Sequence, residues 1–204
     1  RDGLRAEAAA LAALPPAAAS SAAAAVVVTH GDLHPGNVIL SADAPAGGWL
    51  VDLEHVAPRQ AATDVAYFFA VLGDLRWPAG WTPSAAAPIP YPPVETRRAF
   101  AAAYLSATAE GDMGADAVDA FLFDVERAGL RERLRLMCVW VLLCGGDTGG
   151  MLLGGVGMYL PHLASARGLL AAAEAGDTAA RADILEKGLV VCGAIKTAAA
   201  ASAA

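Results

Sequence analysis

Leu4, Ala8, Leu11 and Leu14 recur at three- and four-residue spacing, which predicts a helix over residues 1–14 that Pro15-Pro16 stops. Residues 15–25 are Ala/Ser/Pro-rich and read as a loop or weak helix. Val26-Val27-Val28-Thr29 is a short β-branched run and predicts a buried strand. Val38-Ile39-Leu40 and Trp49-Leu50-Val51 predict two further strands around a Gly/Pro/Asp turn at 41–48, with Asp52 ending the second. From Thr63 the period lengthens to that of a helix, with Asp64 near its start and Val65, Phe68, Phe69 and Leu72 on one face. Residues 77–93 hold six prolines and predict an extended loop. Helices are expected over about 94–109, 115–128, 130–144, 148–159, 161–175 and 178–197, with Gly or Pro punctuation between them, and a frayed tail over 197–204. The fold class that follows is α+β and mostly helical, a small β-element leading into a helical body over 63–196.

Composition narrows the partners. Of 204 residues 56% are hydrophobic, but Ala supplies much of that fraction, and the larger apolar residues are at an ordinary globular level. The most apolar stretch, 136–160, is interrupted by Asp147 and several glycines, so it reads as a pair of buried helices and no membrane span is expected. A net charge of −7 disfavours a nucleic-acid partner. Arg127, Arg131, Arg133 and Arg135 read as one solvated helix face. Cys138, Cys144 and Cys192 are odd in number and form no CxxC, which reads as buried thiols in a reducing compartment, the cytoplasm. The chain opens without a compact apolar segment of signal-peptide type. Oligomeric state is not legible.

The chemistry is concentrated in residues 30–37, His30-Gly31-Asp32-Leu33-His34-Pro35-Gly36-Asn37. The spacing His-x-Asp-Leu-x-x-x-Asn is that of a kinase catalytic loop. There a carboxylate meets the acceptor hydroxyl, while an amide oxygen five residues on reaches a metal held on the phosphates. Pro35-Gly36 supplies the turn that folds both side chains into one cleft. A second carboxylate must arrive from a neighbouring strand end, and Asp52, after Trp49-Leu50-Val51 in the segment 49–54, is placed for it. His30 reads as a hydrogen-bonder that braces the loop, and His34 has no assigned role. A zinc cluster of His30, Asp32 and His34 would leave Pro35-Gly36 and the chain's single Asn unexplained. The acidic residues Glu110, Asp112, Asp116, Asp119, Asp124 and Glu126 read either as an attractor for a cationic acceptor or, more simply, as a solvated helix surface.

His30 to Ile39, then Val51-Asp52-Leu53-Glu54, then Thr63-Asp64-Val65-Ala66 resembles the aminoglycoside phosphotransferase and choline kinase-like superfamily, with the close match over about 26–72. The resemblance implies a protein-kinase-like C-terminal lobe over residues 1–196, with Asp32 as catalytic base. It also implies that Asn37 and Asp52 are ligands of Mg²⁺ (or Mn²⁺) bound with ATP, and that Asp64 is a structural brace of the loop. It implies transfer of the γ-phosphoryl of ATP to a hydroxyl of a small molecule, such as an aminoglycoside, amino alcohol or sugar-like acceptor. Glu54 stands where the superfamily commonly has Asp-x-Glu, either near a second metal or in a solvated, hydrogen-bonding role. A phosphate-covering loop and a strand lysine are expected ahead of such a loop, yet only 29 residues precede His30 and both lysines, Lys187 and Lys196, lie downstream. The reading is therefore of a lobe whose N-terminal partner is missing and which is inactive without it. The alternative is a non-catalytic, kinase-like binding or regulatory module.

Overall fold

A computed structural model describes residues 2–14, 25–44, 47–73, 91–108, 114–143 and 151–189. Six helices carry most of it: α1 (Asp2–Ala12), α2 (Ala62–Gly73), α3 (Val94–Thr108), α4 (Ala115–Leu143), α5 (Met151–Glu174) and α6 (Thr178–Lys187). Between α1 and α2 lie four short strands, β1 (Val26–Thr29), β2 (Val38–Leu40), β3 (Gly48–Leu50) and β4 (Ala57–Gln60). They form two antiparallel ribbons. In one, β1 pairs with β4, Val26 opposite Gln60 and Thr29 opposite Ala57. In the other, β2 pairs with β3, Val38 opposite Leu50 and Leu40 opposite Gly48. Single 3₁₀ turns at Pro35–Asn37 and Leu53–His55 lead into β2 and out of β3. The expected α+β, mostly helical class is what the structure has. No helix among the described residues is long and apolar enough to cross a membrane.

The ribbons differ from expectation in burial and in number. β1 is not a buried strand: Val26 and Val28 are 72% and 77% exposed, while Val27 and Thr29 turn inward. A two-stranded ribbon has only one face that the helices can cover, so period-two alternation wins over the apolar run. Ile39, Leu40, Trp49 and Leu50 of the second ribbon are likewise exposed. β4, Ala-Pro-Arg-Gln, carries no strand signal in sequence. It forms because β1 offers it a ladder, and Pro58 is tolerated because each strand of a two-stranded ribbon is an edge. The second strand of the hairpin spans 48–50 and not 49–51.

The helical body is built around α4, which serves two cores. Val118, Phe121, Leu122 and Val125 pack with Val65, Ala66 and Phe69 of α2 and with Ala101 and Leu105 of α3. Phe123, Leu130 and Leu134 pack with Leu11 of α1, Leu163 and Leu170 of α5, and Ile184 of α6. Expected breaks at Gly129 and near Pro161 are absent, because α4 and α5 each run through them. A helical Gly costs about 1 kcal/mol and a Pro about 3. The flanking leucines, all buried at Leu130, Leu134, Leu163 and Leu170, offset those costs at roughly 1.5–3 kcal/mol each. The end of the second expected strand (Val51), the Pro-rich positions 77–90, Cys144, Cys192 and the tail 197–204 either fall in irregular backbone or lie outside the described residues.

The charged segments of α4 are only in part the solvated surfaces expected: Asp116 and Arg135 are exposed. Arg127, Arg133, Asp124 and Glu126 are all buried. Glu126, 1% exposed, accepts hydrogen bonds from Arg97 Nη1 (2.8 Å), the Leu189 backbone N–H (2.8 Å) and the Tyr91 hydroxyl. Arg97 spends its remaining donors on backbone carbonyls, Nε on Pro92 (3.1 Å) and Nη2 on Leu185 (2.7 Å) and Glu186 (2.9 Å) at the end of α6. Gly188 follows, at φ 71°, and a Cβ there would collide with the Tyr91 ring. On the other flank, Arg127 reaches Glu174 of α5 at 2.7 Å and Asp124 at 3.3 Å. Periodicity cannot distinguish a buried ion pair from a wet face, since both place charges at helical spacing.

Two outcomes follow. Arg97→Met strands the Glu126 carboxylate without its cation and should lower unfolding free energy by about 3–5 kcal/mol in urea titrations, and a loss under about 1 kcal/mol would contradict this account of the pair. Burial, then the Glu126 carboxylate, raises the Tyr91 phenol well above its ordinary value of 10.0, and burial with Asp32 does the same for Tyr67. Unfolded phenols therefore ionise first, so stability should be flat below about pH 9 and fall as pH rises through 10, with a limiting slope of about 1.4 kcal/mol per pH unit per phenol. Chemical denaturation at a series of alkaline pH values reads this, and Tyr91→Phe should shallow the slope.

Candidate functional site

The loop 30–37 is held on three sides. From α2, Asp64 accepts the backbone N–H groups of His30 at 2.6 Å and Gly31 at 2.9 Å, one on each carboxylate oxygen. Asp64 sits in the first turn of its helix, where the positive end of the helix dipole favours a carboxylate. From the hairpin, the Val51 N–H donates to the Asn37 carbonyl at 3.1 Å. From within the loop, buried His30 places Nε2 at 2.9 Å from the Val51 carbonyl, while its Nδ1 faces the Asp32 N–H at 3.4 Å. Those partners assign the proton to Nε2. Both ring nitrogens are then committed to backbone, so the arrangement does not offer His30 to a zinc ion.

Gly31 is required where it stands. Its φ is 84°, and a Cβ would fall inside the van der Waals radius of the His55 carbonyl oxygen. The loop and the 3₁₀ turn after β3 can approach so closely only through a residue without a side chain.

The residues expected to carry chemistry lie on segments that meet at this junction. Asn37 is buried at the end of the first 3₁₀ turn, and its Nδ2 donates to the Asp32 carbonyl at 3.0 Å. That bond orients the amide and leaves Oδ1 as its acceptor group. Asp32 is 26% exposed, with His34 Nε2 at 3.7 Å from one carboxylate oxygen. His34 has a local role that spacing did not assign: its Nδ1 accepts the Gly36 N–H at 3.0 Å and caps the 3₁₀ turn. Asp52 is exposed and adopts φ 64°, ψ 56°, the one non-glycine residue with positive φ among those described. Asp tolerates that region better than most residues, at a cost of order 1–2 kcal/mol. Val51 ties the start of this strained step to both His30 and Asn37, so Asp52 is brought to the loop that bears Asp32 and Asn37. Glu54 points to solvent with His55 Nε2 at 3.4 Å.

One residue of this site was not legible from the motif. Tyr67, one turn after Asp64 on α2, is 4% exposed, and the charge of Asp32 adds to burial in holding its phenol above the usual value. In sequence it reads as one more aromatic of an apolar helix. The available signal is its i+3 spacing from Asp64, which puts both on one face.

Comparison with known proteins agrees with the location of these features. The model of the phosphotransferase enzyme family (APH) matches residues 1–122, from α1 through the first turns of α4, and so includes both ribbons and the whole loop. No curated protein matches the chain.

The brace from α2 is testable without any assay of activity. Asp64→Asn turns one acceptor into an N–H that faces a backbone donor, and should cost about 1.5–3 kcal/mol of stability. Hydrogen exchange at the His30 and Gly31 amides should accelerate far more than in the α4 core. Unchanged protection at those two amides would mean that Asp64 does not hold the loop.

Proposed function

This chain belongs to the phosphotransferase enzyme family, the superfamily of aminoglycoside phosphotransferases and choline kinase-like proteins, and we propose that it moves the γ-phosphoryl group of ATP onto a hydroxyl of a small molecule. The observation that carries the reading is the closure of the loop on the hairpin. The Val51 N–H and carbonyl bond the Asn37 carbonyl and the His30 ring, which joins the segment that bears Asp52 to the loop that bears Asp32 and Asn37. In this reading the junction is the catalytic corner of a kinase-like C-terminal lobe.

Asp32 is the proposed base. It retains partial exposure, so an acceptor hydroxyl can reach it, and its backbone is fixed from below by Asn37 Nδ2 and from behind by His30. Its task is to orient the hydroxyl and take its proton as the oxygen attacks the phosphorus in line. Asn37 Oδ1 and the Asp52 carboxylate are the proposed ligands of Mg²⁺ or Mn²⁺. Both are hard oxygen donors, and two protein ligands with phosphate and water suit an ion that surrenders its hydration reluctantly. When bound, the metal neutralises charge between the β- and γ-phosphates. Asp52 adopts the left-handed region where the chain turns out of β3. His30 and Asp64 are proposed as braces, with no contact to the reacting atoms.

The acidic segment 110–126 lends no support to a specifically cationic acceptor. Among its described members, Asp119 pairs with Arg98 at 2.8 Å, Asp124 with Arg127 and Glu126 with Arg97. The last two pairs are spent inside the fold, and the first lies at its surface. The acceptor class supported is a neutral or weakly charged alcohol as much as an aminoglycoside.

The two aspartates should respond differently to neutralisation. In a form of this protein supplied with an N-terminal lobe, Asp32→Asn should lower kcat by about 10²-fold or more with ATP affinity nearly unchanged, in line with base contributions of about 10²–10⁴. Asp52→Asn should lower kcat and also weaken Mg²⁺–ATP binding, because it strips charge from the metal site. Steady-state kinetics with isothermal titration of Mg²⁺–ATP separates the two. Near-normal kcat in a folded Asp32→Asn enzyme would overturn the assignment.

A further inference from the structure

His34 stands two residues after Asp32 and is fixed in the loop at both its backbone and its ring. It is the N-cap of the 3₁₀ turn Pro35–Asn37, extended at φ −140°, and its carbonyl accepts the Asn37 N–H at 2.9 Å. The ring folds back over the turn, where Nδ1 accepts the Gly36 N–H at 3.0 Å. An accepting Nδ1 carries no hydrogen, so the ring N–H is assigned to Nε2. That atom lies 3.7 Å from Asp32 Oδ2. The His34 side chain is 15% exposed, so the protein covers most of the ring.

Gly36 makes room for that ring. It is not among the glycines with positive φ, so its backbone makes no demand that only glycine meets. A Cβ at Gly36 would instead stand 2.8 Å from His34 Cε1 and 3.0 Å from Nδ1, closer than a Cβ can pack. Pro35, at the first position of the turn, has no N–H to compete for Nδ1 and a φ already suited to the turn. His34-Pro35-Gly36 is thus one unit that holds an imidazole by one nitrogen and turns the other toward Asp32. A cap alone needs only a short acceptor such as Asn, Asp or Ser. A ring whose second nitrogen faces the site's carboxylate does more than cap.

We propose that His34 is a positioning residue for Asp32, its Nε2–H facing one carboxylate oxygen and limiting rotation of the group as the acceptor hydroxyl approaches. The proposal rests on the reading of Asp32 as the base. At 3.7 Å the N–H is beyond hydrogen-bond length, so the attraction is that of a fixed dipole for a carboxylate, and a small rotation of Asp32 closes it. A carboxylate has about four lone-pair sites, so engaging one leaves others for the acceptor. His34 touches neither acceptor nor nucleotide in this scheme. Its loss therefore acts on turnover and leaves ATP binding alone.

Two measurements test it. In this chain, long-range proton–nitrogen NMR spectra should place the hydrogen of the neutral His34 ring on Nε2, and Asp32→Asn should shift the Nε2 resonance. A hydrogen on Nδ1, or an Nε2 resonance indifferent to Asp32→Asn, would overturn the contact whatever the protein catalyses. The second measurement is kinetic, in a form of this protein supplied with an N-terminal lobe. Its acceptor is whichever member of a panel of amino alcohols, hexoses and aminoglycosides is phosphorylated fastest. His34→Asn keeps a cap on the turn and removes the N–H that faces Asp32. It should lower kcat by about 3–10-fold, the loss of one modest interaction, with KM for ATP within about twofold and the thermal midpoint nearly unchanged. Gly36→Ala, which displaces the ring and leaves it in place chemically, should give a loss of the same kind. In an Asp32→Asn background His34→Asn should have almost no further effect, because the group it positions no longer acts as a base. Unchanged kcat in His34→Asn, or losses that simply multiply with those of Asp32→Asn, would overturn the positioning role while leaving Asp32 as base. If Asp32→Asn is itself harmless, or no panel member is phosphorylated, the underlying reading fails and the proposal with it.

Discussion

The buried Glu126 carboxylate is the point on which the helical body hangs. Taking it from water costs several kcal/mol, and the structure offsets that cost with a guanidinium, a phenol and a backbone N–H on a single group. Each donor comes from a different place: Tyr91 and Arg97 from the entry to α3, Leu189 from just beyond α6. Arg97 also satisfies the last carbonyls of α6, which would otherwise be orphaned at a buried helix end. One carboxylate thus sets α3, α4 and α6 relative to one another, and no apolar side chain of the same size could do so with that directionality.

What α4 gains in rigidity it passes to the loop. Its first half packs on α2 through Phe121, Leu122 and Val125, and its second half lays Arg135 over Tyr67. α2 then meets the loop through Asp64, which accepts two of its backbone N–H groups. The loop has no regular ladder of its own and depends on these contacts. A loop of irregular backbone is as well placed as the elements behind it allow, and here those elements are the longest helix among the described residues and the helix packed against it.

The other support comes from the ribbons, which are poor cores and good rulers. Their apolar residues at Val26, Val28, Ile39, Leu40, Trp49 and Leu50 are largely exposed, so burial contributes little to their register. Register is instead held by the short ladders and by Val51, which bonds the loop through both its N–H and its carbonyl. The left-handed conformation of Asp52 is the cost of turning out of that ladder immediately after it.

How much of this was readable from residues alone divides along a physical line. The loop, the strands before and after it, the helix beginning near Asp64 and the proposal of Asp32, Asn37 and Asp52 as the chemistry-bearing groups all follow from local signals: β-branched runs, turn residues and fixed spacing over a few residues. The family follows from the same stretch. What the chain could not disclose was which charges are internal. Asp124, Glu126, Arg127 and Arg133 stand at the spacing of a wet helix face, and only the approach of α3, α5 and α6 turns them into buried partners. β4 likewise exists only because β1 lies beside it, and Gly129 and Pro161 fail to break their helices only because their neighbours are buried. Tyr67 belongs to the same class: an aromatic in an apolar helix reads as plain core until the fold brings the Arg135 guanidinium over its ring. Short-range sterics and spacing are written in the sequence, whereas the partner of a charge or a polar tip is set by contacts between residues tens of positions apart, which only the tertiary structure supplies.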